Sequence, residues 1–110
     1  MSSVKQRLVV QLEAYYRSCG WRVDRGEDGT VRASGPGGVT WIGLAVVPED
    51  LAARDFEERL IELSEQRMPR GERCPFELLP AAECAEELRA TLTRLRLAER
   101  GHVAVYSLAA

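Results

Sequence analysis

The chain has 110 residues, enough for one domain over residues 1–110 whose core needs no metal or disulfide staple. Its 15 basic and 17 acidic residues leave a formal net charge of -2, which removes the strong positive field that drives nonspecific binding to polyanions, so charge does not indicate a nucleic-acid partner. The three cysteines have no CxxC spacing and indicate neither a disulfide framework nor a zinc knuckle; with no secretory leader and no run of about 20 apolar residues, a soluble cytoplasmic protein without a membrane partner is expected.

The first element is a helix. Val4, Leu8, Val9, Leu12, Tyr15, Tyr16 and Cys19 form an amphipathic stripe, with Ser2 or Ser3 as its cap and Gly20 as its stop. Cys19 on that stripe is expected to act as a small buried hydrophobe. Trp21 and Val23 alternate with Arg22 and Asp24, and after "RGEDG" the segment from Thr30 to Ser34 alternates again, which predicts two antiparallel strands. After "SGPGG" comes Val39 to Val47. There Val39, Trp41, Ala45 and Val47 fall on one side and Ile42, Leu44 and Val46 on the other, the pattern of a strand covered on both faces.

Pro48, Glu49 and Asp50 break this strand, and Phe56, Leu60 and Leu63 predict a second helix to about Gln66. Asp55 and Glu58 have capping-box spacing, and a one-turn helix from Glu49 can precede them. "MPRGER" reads as a loop and "CPFELL" as a strand stopped by Pro80. Ala81, Ala85, Leu88, Leu92 and Leu95 predict a third helix ending at Gly101, on which Arg89, Arg96 and Arg100 share one side. "HVAVYSL" is the last strand, with Val103 and Val105 on one face and Ala104, Tyr106 and Leu108 on the other. A short meander followed by strands that each arrive through a helix predicts a mixed sheet of about five strands between helices, a three-layer α/β/α sandwich in the order α-β-β-β-α-β-α-β.

"LEAYYRSCGWRV" followed by a meander that ends in the doubly covered strand "TWIGLAVV" resembles the core of the PD-(D/E)xK nuclease superfamily, to which many restriction enzymes and Holliday-junction resolvases belong. The resemblance lies in element order. It implies a metal site with an acidic residue on the second strand, an acidic-x-Lys triplet on the third and often a glutamate on the first helix, where carboxylates bind Mg²⁺ or Mn²⁺ and the ion stabilises charge on the transferring phosphate. In this sequence Ile42, Gly43 and Leu44 occupy the triplet's place and Lys5 is the only lysine in the chain, so the motif is not matched. Glu13 corresponds to the helix glutamate, Asp24 and Asp28 come from the meander, and Glu49 and Asp50 stand just beyond a strand end, where active groups of open α/β sheets lie. Against these roles, "GEDG" is turn chemistry for Asp28, and Glu49 and Asp50 suit a helix start.

The same order of a helix, three strands and a helix occurs in double-stranded-RNA-binding domains, but those need a lysine-rich second helix and "PEDLAARDFEERL" is acidic. "SGPGG" leads into a strand, which a phosphate cradle does not. His102 has no serine or cysteine tied to it by spacing and reads as a polar junction residue. Cys84 is near a helix start, but Glu83, Glu86 and Glu87 oppose a lowered thiol pKa. Arg70 and Arg73 are the candidates for an anion or partner contact.

Two functions follow as expectations. One is a non-catalytic interaction domain without a cofactor, binding a protein partner or itself through an edge strand or an exposed helix; the final strand, uncharged from Val103 to Ala110, is its candidate edge. The other is a divergent metal-dependent DNA nuclease with ligands drawn from Glu13, Asp24, Asp28, Glu49 and Asp50.

Overall fold

The computed structural model describes residues 3–107. Helix α1 (Ser3–Ser18) is followed by strands β1 (Arg22–Arg25), β2 (Thr30–Ser34) and β3 (Thr40–Val46). Then come α2 (Pro48–Leu51), α3 (Phe56–Ser64), β4 (Phe76–Pro80), α4 (Ala85–Arg94) and β5 (Val103–Val105). The strands form one mixed sheet in the order β1-β2-β3-β4-β5, antiparallel through the meander and parallel from β3 onward. This is the α/β class and the strand number that the sequence predicts. Each parallel step is made by a helical connection, as a parallel pair requires.

Two apolar clusters lie on the two faces of the sheet. On one face Ile42, Leu44 and Val46 of β3 and Phe76 and Leu78 of β4 pack against Phe56, Leu60 and Leu63 of α3 and Leu88 and Leu92 of α4. On the other face Val9, Leu12 and Tyr16 of α1 cover Val31, Ala33, Ala45 and Leu79. The strand β3 is therefore apolar on both faces because it has a helical layer on each side, which answers its lack of charge.

The buried face of α1 differs from the predicted stripe. Lys5, Val9, Leu12, Glu13 and Tyr16 are buried, whereas Val4 and Tyr15 are 36% and 43% exposed and Cys19 is exposed. Two charged residues displace apolar ones because ion pairs await them beneath the helix. Asp55 precedes α3 but its side chain makes no cap hydrogen bond, so the expected capping box does not form. Pro48 opens the one-turn α2 as its first residue, and Asp50 Oδ2 accepts the Val47 N–H at 2.9 Å.

The third predicted helix is shorter than expected. It begins as a 3-10 turn at Ala82–Cys84 and ends at Arg94, so Arg96 and Arg100 do not share a helix side with Arg89. The end is a Schellman motif: Leu97 N–H donates to Leu92 C=O at 2.9 Å and Arg96 N–H to Thr93 C=O at 3.0 Å. Arg96 takes the left-handed position, φ 62°, that glycine favours. The same motif closes α1, where Trp21 N–H reaches Tyr16 C=O and Gly20 fills the left-handed site at φ 87°. What holds Arg96 there is Leu97, 1% exposed, whose burial contributes about 1.5–3 kcal/mol. Ser2 and Leu108 to Ala110 lie outside the described residues, with the cap and edge readings that rest on them.

Because Arg96 is exposed and its backbone strain serves only the turn, Arg96→Gly is expected to stabilise the fold by about 1 kcal/mol, read as a higher midpoint in urea. An unchanged or lowered midpoint contradicts this account of the helix end.

Candidate functional site

The alternation of β4 sends Phe76 and Leu78 to the α3 and α4 side and turns Glu77 toward α1. Glu77 is 3% exposed and stands in register with Gly43 on β3 and Ala104 on β5. Its carboxylate accepts two short hydrogen bonds: Tyr16 Oη donates to Oε1 and Tyr106 Oη to Oε2, each at 2.6 Å. These are charge-assisted distances, and they use both oxygens of a group that would otherwise be buried at a cost of several kcal/mol.

Gly43 makes room for this arrangement. A Cβ at that position would lie 2.8 Å from Tyr16 Oη and 3.3 Å from Leu12 Cδ2, so a side chain there pushes Tyr16 away from Glu77. Burial, and then the bond to Glu77, raise the Tyr16 hydroxyl far above the ordinary tyrosine value. The Glu77 bond, followed by burial, pushes Tyr106 up to about 12. Both phenols thus stay protonated around neutral pH and act as donors, not as bases or nucleophiles. Tyr15 stacks at a tilt on Tyr16, ring centroids 5.5 Å apart, and keeps a half-exposed ring at the surface.

The carboxylates of the nuclease reading have other arrangements. Glu13, 7% exposed, receives Arg25 through Nη2 at 2.6 Å and Nε at 3.1 Å, and this guanidinium lowers the Glu13 pKa. Asp50 Oδ1 is 2.7 Å from Lys5 Nζ, which joins the start of α1 to α2. The Lys5 stem crosses Gly29, where a Cβ would meet Cε at 2.5 Å. Asp28 takes the left-handed turn conformation, φ 56°, and pairs with Arg59 Nη1 at 2.8 Å, while Arg59 Nη2 donates to Thr30 Oγ1 at 2.7 Å.

Asp28, Asp50 and Asp55 line one pocket of about 190 Å³ with Arg59, floored by Leu44 and Phe56. Of the candidate residues, the fold brings only Asp28 and Asp50 together there. Glu13 sits about two turns beyond Lys5 on α1. Asp24 is exposed on the edge strand β1 opposite Arg32, and Glu49 is exposed on α2. Ile42 and Leu44 point into the cluster under α3 and α4, and only Gly43 of the triplet faces α1. Among the described residues no three His, Cys, Asp or Glu side chains are close enough to hold a metal ion.

The remaining candidates fall in structural places. Arg70 is exposed on a small pocket that Met68 and Pro69 share with the Pro36–Gly38 turn, while Arg73 is half-buried with its Nε out of solvent. His102 Nε2 lies 2.6 Å from the Ser64 carbonyl at the C-terminal end of α3, where the helix leaves carbonyls without an intrahelical partner. Cys74 and Cys84 are buried, and burial raises both thiols, which leaves them inert as nucleophiles. No helix among the described residues is long and apolar enough to cross a membrane. Comparisons with protein-family models, with curated proteins and with solved structures find no match to this chain.

The polar centre at Glu77 is not among the residues singled out from the sequence. Its signal is a lone glutamate inside "PFELLP", with a glycine at the middle of the neighbouring "WIGLA". Only a sheet register that sets Glu77 beside Gly43 connects the two.

Gly43→Ala is expected to destabilise the fold by about 1–3 kcal/mol in urea unfolding through overpacking against Tyr16, with Tyr16→Phe in the same range because a buried acceptor loses its donor. An effect below a few tenths of a kcal/mol at both positions contradicts the geometry. The pH dependence has a defined sign. Folded tyrosines with raised pKa values stabilise the protein below the unfolded value of about 10. That contribution declines as pH rises from about 10 toward about 12 for Tyr106 and continues to higher pH for Tyr16. Tyr106→Phe is expected to flatten the alkaline limb of stability against pH.

Proposed function

We propose that this chain is a non-catalytic interaction domain that binds a protein partner or a second copy of itself. The observation that carries the reading is that three of the five candidate carboxylates are already engaged by the protein's own cations: Glu13 by Arg25, Asp28 by Arg59 and Asp50 by Lys5. A metal would have to displace a buried lysine from Asp50 and a bidentate arginine from Glu13. The Lys5–Asp50 pair is largely buried and costly to break, whereas Arg25 is 42% exposed and leaves Glu13 at less cost. The resemblance in element order to the PD-(D/E)xK nucleases is compatible with this reading, since an acidic-x-Lys triplet is replaced by core residues.

One observation favours a metal-dependent nuclease as the second reading: Asp28, Asp50 and Asp55 share a pocket. Arg59 lies among them and occupies the position where a cation is needed. The ion pairs and the absence of a lysine on β3 weigh against this reading.

Calorimetric titration with Mn²⁺, followed by incubation with branched and single-stranded DNA, separates the two. The interaction reading expects no saturable heat and no cleavage. Saturable Mn²⁺ binding that is lost in Asp28→Asn or Asp50→Asn overturns it in favour of the nuclease.

A further inference from the structure

We infer that the partner is a second copy of this chain, joined edge to edge through β5; the inference deepens the interaction reading and rests on it. The strand β5 closes the sheet order and, among the described residues, pairs only with β4. Phe76 N–H donates to His102 C=O and Tyr106 N–H to Leu78 C=O, so residues 102, 104 and 106 direct their backbone groups inward and 103, 105 and 107 direct theirs to the free edge. This edge carries no charge, proline or bulge from Val103 to Ser107, the devices by which sheets discourage pairing.

The edge is self-complementary about Val105. An antiparallel pair centred there exchanges two hydrogen bonds between the Val105 residues of the copies and joins Ser107 N–H to Val103 C=O on each side. It leaves Val103 N–H on its own Arg100 carbonyl, where it already lies at 3.3 Å. It also sets the small Ala104 opposite Tyr106, which is 38% exposed and whose hydroxyl is fixed by Glu77. On the other face, Val103 and Val105 line a groove of about 270 Å³ with Leu92, Ala98, Arg89 and Thr93. The Val105 side chains of the two copies meet at its mouth.

Charge complementarity points to the same partner. The two-fold axis of such a pair is perpendicular to the sheet, so α4 and its mate lie on one face, side by side and antiparallel. In the first turn of α4 the exposed Glu86 lies on the flank of Arg89 and Thr93 that lines the β5 groove, while Glu87 lies on the flank of Arg94, which pairs with Glu57 of α3; the exposed turn after the end of α4 carries Arg96. An antiparallel arrangement brings the acidic end of each helix to the basic end of the other, and it also opposes the helix dipoles. A parallel pair would put the two α4 helices on opposite faces of the joined sheet and has no such match.

The test is sedimentation equilibrium from about 1 µM to about 500 µM, a range that covers weak and moderate dimers. The wild-type chain is expected to dimerise. Val105→Pro removes the outward N–H without touching the bonds to β4 and is expected to weaken the dimer at least about tenfold. Glu86→Arg and Arg96→Glu, both on exposed positions, are each expected to weaken it, and mixing the two variants restores pairing because both inter-helix contacts then regain opposite charges. A wild-type chain that stays monomeric throughout overturns the second-copy inference. It leaves the interaction reading standing, which the Mn²⁺ titration decides separately. A dimer indifferent to Val105→Pro and to both charge reversals overturns the surface.

Discussion

A carboxylate in the middle of a central strand has to find donors or it unfolds the sheet around it, and the arrangement of this protein follows from how Glu77 meets that requirement. Its two donors come from opposite ends of the chain, Tyr16 on α1 and Tyr106 just after β5. The first fixes the height and rotation of α1 over the sheet, which Gly43 alone permits. The second fixes the last described strand against β4. One side chain therefore registers the first helix, the two central strands and the edge strand relative to each other. Apolar packing is less directional and does not specify register so narrowly.

The ion pairs extend this logic around the rim. Lys5 with Asp50 joins α1 to α2, Glu13 with Arg25 joins α1 to β1, and Arg59 with Asp28 joins α3 to the β1-β2 turn. The half-buried ones specify more than they stabilise, because desolvation offsets much of the Coulomb gain. Together they absorb the charges that an active site of nuclease type would use, and they leave the edge strand and the outer flank of α4 as surfaces without an assigned internal role. Such a division of polar groups supports the interaction function that we propose.

Particular elements show where sequence reasoning reached its limit. The doubly covered β3, the meander and the sequence of helices and strands were legible because each is written in local periodicity and punctuation. The end of α4 was not. Arg96 in a left-handed conformation has no local sequence signal, and it is held by Leu97 entering a core that the helix itself does not reveal. The buried face of α1 departs from its apolar periodicity for a related reason: Lys5 and Glu13 look solvated by type, and only their partners, 45 and 12 residues away, bury them.

Residue spacing along the chain is enough to set the class of the fold, the order of its elements and the strand that carries apolar side chains to both faces. Those properties depend on the spacing of residues along a few turns or a single strand, over which backbone geometry is fixed. Tertiary structure alone decided that Glu77 is the polar centre, because its donors are separated from it by 61 and 29 residues and meet it only once five strands have taken their order. The folded structure, too, pairs Glu13, Asp28 and Asp50 with cations, since an ion pair is a property of two distant positions and no single one of them records it.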